Sequence, residues 1–140
     1  MRAGILGFTG SGRKTLFKLL TKVVGTDVGR TSRIGILKVP DSRLLELARL
    51  HASKKTTHAT IEFVLIPGLF KNTRGNAKEV LDLAALRNVD VLVHVVRAFD
   101  NPSVPHPETT IAPSRDIEFL ELELLLADLG LVERRLERMK

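Results

Sequence analysis

The chain has 140 residues, a formal net charge of +6, and no cysteine, tryptophan or tyrosine. The lack of cysteine excludes a disulfide framework and any thiolate metal site. No apolar run approaches the length of about 18 residues that a membrane span needs, and no long apolar leader precedes a cleavage site, so a cytoplasmic protein with no membrane partner is expected. Hydrophobic residues at 44% with aromatics at 4% predict an aliphatic core, and the length favours one domain over 1–140.

The charge is uneven. Residues 1–58 hold twelve Lys/Arg against three Asp/Glu, whereas residues 59–140 are slightly acidic. A basic N-terminal part suits an anionic partner such as a nucleotide or RNA phosphate, and it also suits an ordinary solvated surface. Aromatics are not interleaved with the basic residues, which argues against stacking on a single strand.

In chain order, Arg2–Gly7 predicts a strand and Arg13–Lys22 a helix. Between them runs Gly7-Phe8-Thr9-Gly10-Ser11-Gly12-Arg13-Lys14-Thr15. Strand, glycine-rich turn and helix form the context of a phosphate-binding loop. Glycines let backbone N–H groups turn inward, and the helix N-terminus adds partial positive charge. The loop pattern is G-x-x-x-x-G-K-[S/T]. Gly7 and Gly12 match it, but Arg13 stands at the lysine position and Lys14 at the magnesium-binding hydroxyl position. Taking Lys14 as the loop lysine would lengthen the loop by one residue and make Thr15 the metal ligand. A tight turn that holds no ligand is the alternative.

Val23–Ser32 reads as a loop broken by Gly25, Asp27 and Gly29. Arg33–Val39 is a short strand ended by Pro40. Asp41 then caps a helix with Leu44, Leu45, Leu47, Ala48 and Leu50 on one side. His51–Ala59 is a polar turn, Thr60–Ile66 a strand closed by Pro67-Gly68, Leu69–Asn76 a loop and Ala77–Asn88 a helix. Asp90–Val96, almost all β-branched, predicts a strand buried on both faces. Asn101–Pro113 is a proline-rich loop. Ser114 caps the last helix, which either breaks at Gly130 or continues to Met139. The alternation predicts an α/β fold with a mostly parallel sheet and flanking helices. Ligands then sit at the carboxyl ends of the strands, where Gly7–Thr15 and Gly68 both fall. His94 reads as a core histidine, while His51, His58 and His106 lie in polar segments without metal-ligand spacing.

These residues resemble the nucleotide-binding domain of Obg-type GTPases, in particular the YchF-like branch. The stretches that carry the likeness are Gly7–Leu20, Gly35–Leu50, Ile61–Leu69, His94–Phe99, Val104–Glu108, Asp116–Glu118 and Leu126–Leu129. The resemblance implies a P-loop NTPase-like fold lacking the last strands of a G domain, GTP or ATP as ligand, and ribosome or RNA as partner. Nucleotide binding falls to Gly7, Thr9, Gly10, Ser11, Gly12, Arg13, Lys14, Thr15 and Gly68, with Arg13 on the β/γ-phosphates and Thr15 near the α-phosphate. Two departures stand out. Lys14 replaces the family's metal-binding hydroxyl, and the Asp-x-x-Gly motif falls on Leu65-Ile66-Pro67-Gly68, with Leu65 in place of the aspartate. Both magnesium-supporting positions lack their oxygen. The expectation is a regulatory nucleotide binder without a conventional magnesium site and with little or no hydrolysis, and no catalytic or metal-ligating residue is assigned.

The family's first switch is longer than Val23–Ser32, and Thr31 does not align cleanly with its threonine. The base-reading motif follows a helical insertion that would begin where this chain ends, so guanine and adenine cannot be told apart. A second reading is a non-enzymatic assembly or ribosome/RNA-associated module with a remnant loop. In the family's strand order the 90–96 strand would be an apolar edge, to be covered by a second copy in a homodimer, by another partner or by the last helix. The leucines of Ile117–Met139 fall on more than one face, which points to the same need for a partner.

Overall fold

The computed structural model describes residues 1–22, 33–67 and 83–139. Its elements are β1 (Arg2–Leu6), α1 (Arg13–Thr21), β2 (Arg33–Lys38), α2 (Ser42–Leu50), β3 (Thr60–Leu65), α3 (Leu83–Arg87), β4 (Val91–His94) and α4 (Pro113–Glu137). The expected loops over Val23–Ser32 (with Thr31) and Leu69–Asn76 lie outside the described residues. So do Gly68 and the first part of the helix expected over Ala77–Asn88.

The sheet order is β2-β3-β1-β4. β1 runs parallel to β3, with Ile5 beside Leu65, and parallel to β4, with Ile5 beside Val93. Side chains alternate across these strands, so neighbouring residues serve opposite faces. Ala3, Ile5, Phe63 and Leu65 meet Phe17 of α1 on one face. Leu6, Phe8, Val64 and Ile66 meet Leu120 of α4 on the other, with Ala85 and Leu86 of α3 alongside. Two apolar layers on one sheet explain the unbroken apolar runs Ala3–Leu6 in β1 and Phe63–Ile66 at the end of β3.

The sheet is mostly parallel, as expected: β2 alone pairs antiparallel, with β3, and so makes it mixed. β2 is an edge, where either direction completes a ladder. Gly35 is needed there, because a Cβ would lie 2.5 Å from Thr21 Cγ2 on α1. Two expectations are corrected. First, β4 is not buried on both faces. It is the other edge, as the family's strand order implied, and Val91 and Leu92 are exposed. Second, Ser114 does not cap α4. Ala112 holds the cap position without a side-chain bond and Pro113 begins the helix, its ring pre-setting the first φ. α2 buries none of its residues, leaving Leu45, Leu47 and Leu50 exposed. Its start is as expected: Asp41 accepts from the Arg43 N–H at 3.0 Å. The last helix runs through Gly130 to Glu137.

No helix among the described residues is long and apolar enough to cross a membrane.

Candidate phosphate-binding site

The glycine-rich loop leaves the carboxyl end of β1, the middle-sheet strand flanked by β3 and β4. Both neighbours hold its start. Ile66 N–H donates to Ile5 O at 3.0 Å and Val95 N–H to Leu6 O at 2.9 Å. The chain then turns through Gly7, Gly10 and Gly12, whose φ angles are 150°, 83° and 95°. At Gly7 the need is also steric, since a Cβ would lie 2.4 Å from Val95 O. Phe8 points away from the loop, buried 5.4 Å from Phe119 and 6.3 Å from His106, ring centre to ring centre, and so anchors the turn on the α4 face.

Gly12 occupies the N-cap of α1 without a side-chain bond, and no acidic residue stands in the first turn. The amides opening α1 therefore carry no side-chain cap, which is the arrangement that receives an anion. Ser11 Oγ and Thr9 Oγ1 are buried in the loop with no partner. Uncapped amides, two orphaned hydroxyls and a cradle that excludes Cβ atoms fit a phosphate group.

The two cationic neighbours are placed differently. Arg13 is buried, and its guanidinium donates to the carbonyl of Ile66 at the end of β3. It thus ties the start of α1 to the strand where the Asp-x-x-Gly motif would begin. Lys14 and Thr15 are exposed. Leu65 is buried among Ala3, Ile5, Phe17 and Phe63, against α1. Lys14 offers an ammonium and Leu65 a hydrocarbon at the two positions where the loop pattern and the Asp-x-x-Gly motif carry oxygens. Among the described residues no three His, Cys, Asp or Glu side chains come together as a metal site. Gly68 lies outside the described residues.

A strap formed by residues 97–108 borders the loop. Arg97 is buried and gives its guanidinium to three carbonyls: Phe99 O at 3.1 Å, Val104 O at 2.8 Å and Asn101 O at 3.1 Å. That fork curls the strap so that Val104 and Pro105 flank Gly10 and Phe99 stands beside Gly12. Farther along, His106 Nε2 meets Asp116 Oδ2 at 3.0 Å, with both side chains buried. His106 Nδ1 accepts from the Glu108 N–H at 3.1 Å, so the ring proton sits on Nε2 and points at the carboxylate. Arg115 adds a 2.9 Å bond to the same carboxylate.

Sequence reasoning assigned no role to Arg97, Phe99 or the His106–Asp116 pair. Their partners are backbone carbonyls and a carboxylate ten residues on, which residue spacing does not announce. His94 is partly buried, as expected of a core histidine, with Nε2 lacking a partner, and burial lowers its pKa against the opposing pull of Asp116 and Glu121.

No protein-family profile matches the chain. Over 99% of its length it is 36% identical to the ribosome-binding ATPase YchF of Bacillus subtilis and 34% identical to that of Escherichia coli O157:H7. Its fold matches the Schizosaccharomyces pombe YchF GTPase with a TM-score of 0.68 and 27% identity, over 98% of this chain and 38% of that one. The chain spans about two fifths of the length of the curated relatives it matches.

Proposed function

We propose that this YchF-like P-loop protein holds the phosphates of a purine nucleotide on the amides of Gly10 to Thr15, without a conventional magnesium site. The observation that carries the reading is the cradle: three positive-φ glycines, an uncapped α1 and two buried hydroxyls without partners. Exposed Lys14 is the group open to the phosphates, supplying as ammonium the positive charge that a metal would otherwise provide. Arg13 donates to the Ile66 carbonyl and so also positions the loop. A general base or water-orienting group is not assigned, and hydrolysis is little or none. The role is that of a nucleotide-responsive regulator.

Nucleotide is the chemistry that the relatives' names also carry, as ATPase in the bacterial proteins and GTPase in the fission yeast structure. Those names leave the base open, so both bases belong in the test. Calorimetric titration of GTP, GDP and ATP, with magnesium and with chelator, checks the reading. Binding that survives chelation and is lost in Gly12→Val is the expected result. Affinity that rises steeply with magnesium overturns the metal-free site.

If no nucleotide binds, the loop is a remnant and the second reading takes over: a ribosome- or RNA-associated module. The basic 1–58 stretch favours it, and the bacterial relatives are named ribosome-binding.

A further inference from the structure

Asp116, in the first turn of α4, is 2% exposed, and a carboxylate that deep needs partners on both oxygens. His106 Nε2 donates to Oδ2 at 3.0 Å. Arg115 takes Oδ1 with its Nε at 3.2 Å and an Nη at 2.9 Å. Arg115 also reaches past the strap's end, donating to the Thr110 hydroxyl at 3.0 Å and to the Thr110 carbonyl at 2.8 Å. The first turn of α4 therefore grips the chain at two points, His106 and Thr110. Between them Thr109 is held at a φ of 60°. A β-branched residue in the left-handed region is strained and stays there only where the surrounding contacts dictate it.

This grip lies against the glycine-rich loop. Just before His106, Val104 and Pro105 close on Gly10, where a Cβ would lie 3.1 Å from Val104 Cγ1 and 3.5 Å from Pro105 O. The His106 ring itself is 6.3 Å from that of Phe8, the loop residue that also packs on Phe119 of α4. Arg97 fixes the near end of the strap. The strap is thus an arch fastened at both ends, with the loop against its middle. We infer that His106 and Asp116 are positioning residues for the phosphate loop. Their bond fastens the strap to α4 and so holds Phe8 and Gly10 in the conformation that turns the loop amides inward. The His106 side chain is 3% exposed and committed to Asp116, so it acts through the strap. The effect on phosphate affinity rests on the nucleotide reading, while the fastening itself does not.

Hydrogen–deuterium exchange by mass spectrometry, on the 140-residue chain without nucleotide, tests the fastening. His106→Ala is expected to speed exchange about tenfold over residues 98–110 and also over loop residues 7–12, with helicity by circular dichroism unchanged. His106→Gln keeps an amide N–H that reaches Asp116, and it returns both segments to the parent rate. Asp116→Asn turns an N–H toward one of two donors and opens the same segments. Added to His106→Ala it changes little, as for two halves of one bond. A strap that opens while the loop does not overturns the proposal. So does a His106→Gln protein that behaves like His106→Ala. Calorimetry with ATP and GTP then reads the consequence: affinity about tenfold weaker in His106→Ala and restored in His106→Gln. Affinity unchanged in His106→Ala overturns the positioning role. A parent chain that binds neither nucleotide overturns the phosphate reading alone, because the exchange result uses no ligand.

Discussion

Gly7 shows how much one residue carries at the site. Its φ of 150° and the 2.4 Å approach of a would-be Cβ to Val95 O leave no room for a side chain. Gly7→Ala is expected to lower stability by about 1–3 kcal/mol and to reduce nucleotide binding, checked by urea unfolding and calorimetry. His94 carries a pH dependence. Burial lowers its native pKa, so the folded protein keeps the ring neutral while the unfolded chain takes up a proton near the ordinary histidine value of 6.5. The unfolded state thus binds more protons as pH falls below 6.5, and stability is lost on acidification through the lowered native pKa. His94→Leu should flatten that slope in unfolding midpoints measured from neutral to mildly acid pH. A slope unchanged by the substitution would assign the effect elsewhere. Gly7 was legible as a motif position, whereas the orphaned Nε2 of His94 depends on what packs around it.

At the scale of elements, the loop and its strap act together. Arg97 serves three carbonyls from one planar fork, which a lysine cannot do. Arg97→Lys should therefore open the strap, seen as faster proteolysis within residues 98–110 and weaker nucleotide binding, with little change in far-ultraviolet dichroism. At the head of α1, Lys14→Ser places a hydroxyl where the phosphate-loop pattern carries one. The expected result is a magnesium dependence absent from the parent, though small, because Leu65 remains apolar. Restoring an aspartate at Leu65 is a different matter, since that side chain is 1% exposed within the α1 face of the core. Burying a carboxylate there is strongly destabilising. The missing ligand and the packed core are one substitution seen from two sides.

At the scale of the molecule, the basic charge is concentrated in residues 1–58, while residues 59–140, which include α4, are slightly acidic. If the module meets RNA, binding should weaken steeply with salt, each phosphate contact adding about 0.7 to the log–log slope for a single strand, as read by anisotropy across a salt series. A flat salt response would remove the electrostatic case for RNA. Exposed leucines also occur on α2, where Leu45, Leu47 and Leu50 face outward. Their spacing puts them on one side of the helix, and amphipathic spacing says only that a helix has an apolar side, not that the chain itself covers it.

What the sequence by itself determined follows from local rules. The apolar runs Ala3–Leu6 and Phe63–Ile66, the glycine turn after β1, the Asp41 cap and the departures Lys14 and Leu65 from the loop motifs are each written in a few neighbouring residues, because backbone conformation and side-chain chemistry are local properties. Tertiary structure decided the rest. It alone ran β2 antiparallel, left Val91 and Leu92 of β4 exposed, turned Arg13 inward onto Ile66, and brought Arg97 and His106 to partners around the loop. It also buried Asp116 and Leu120 of α4 and left Leu122, Leu125 and Leu129 exposed. Each of these depends on which surfaces meet in space, and burial, unlike periodicity, is a property of the whole molecule.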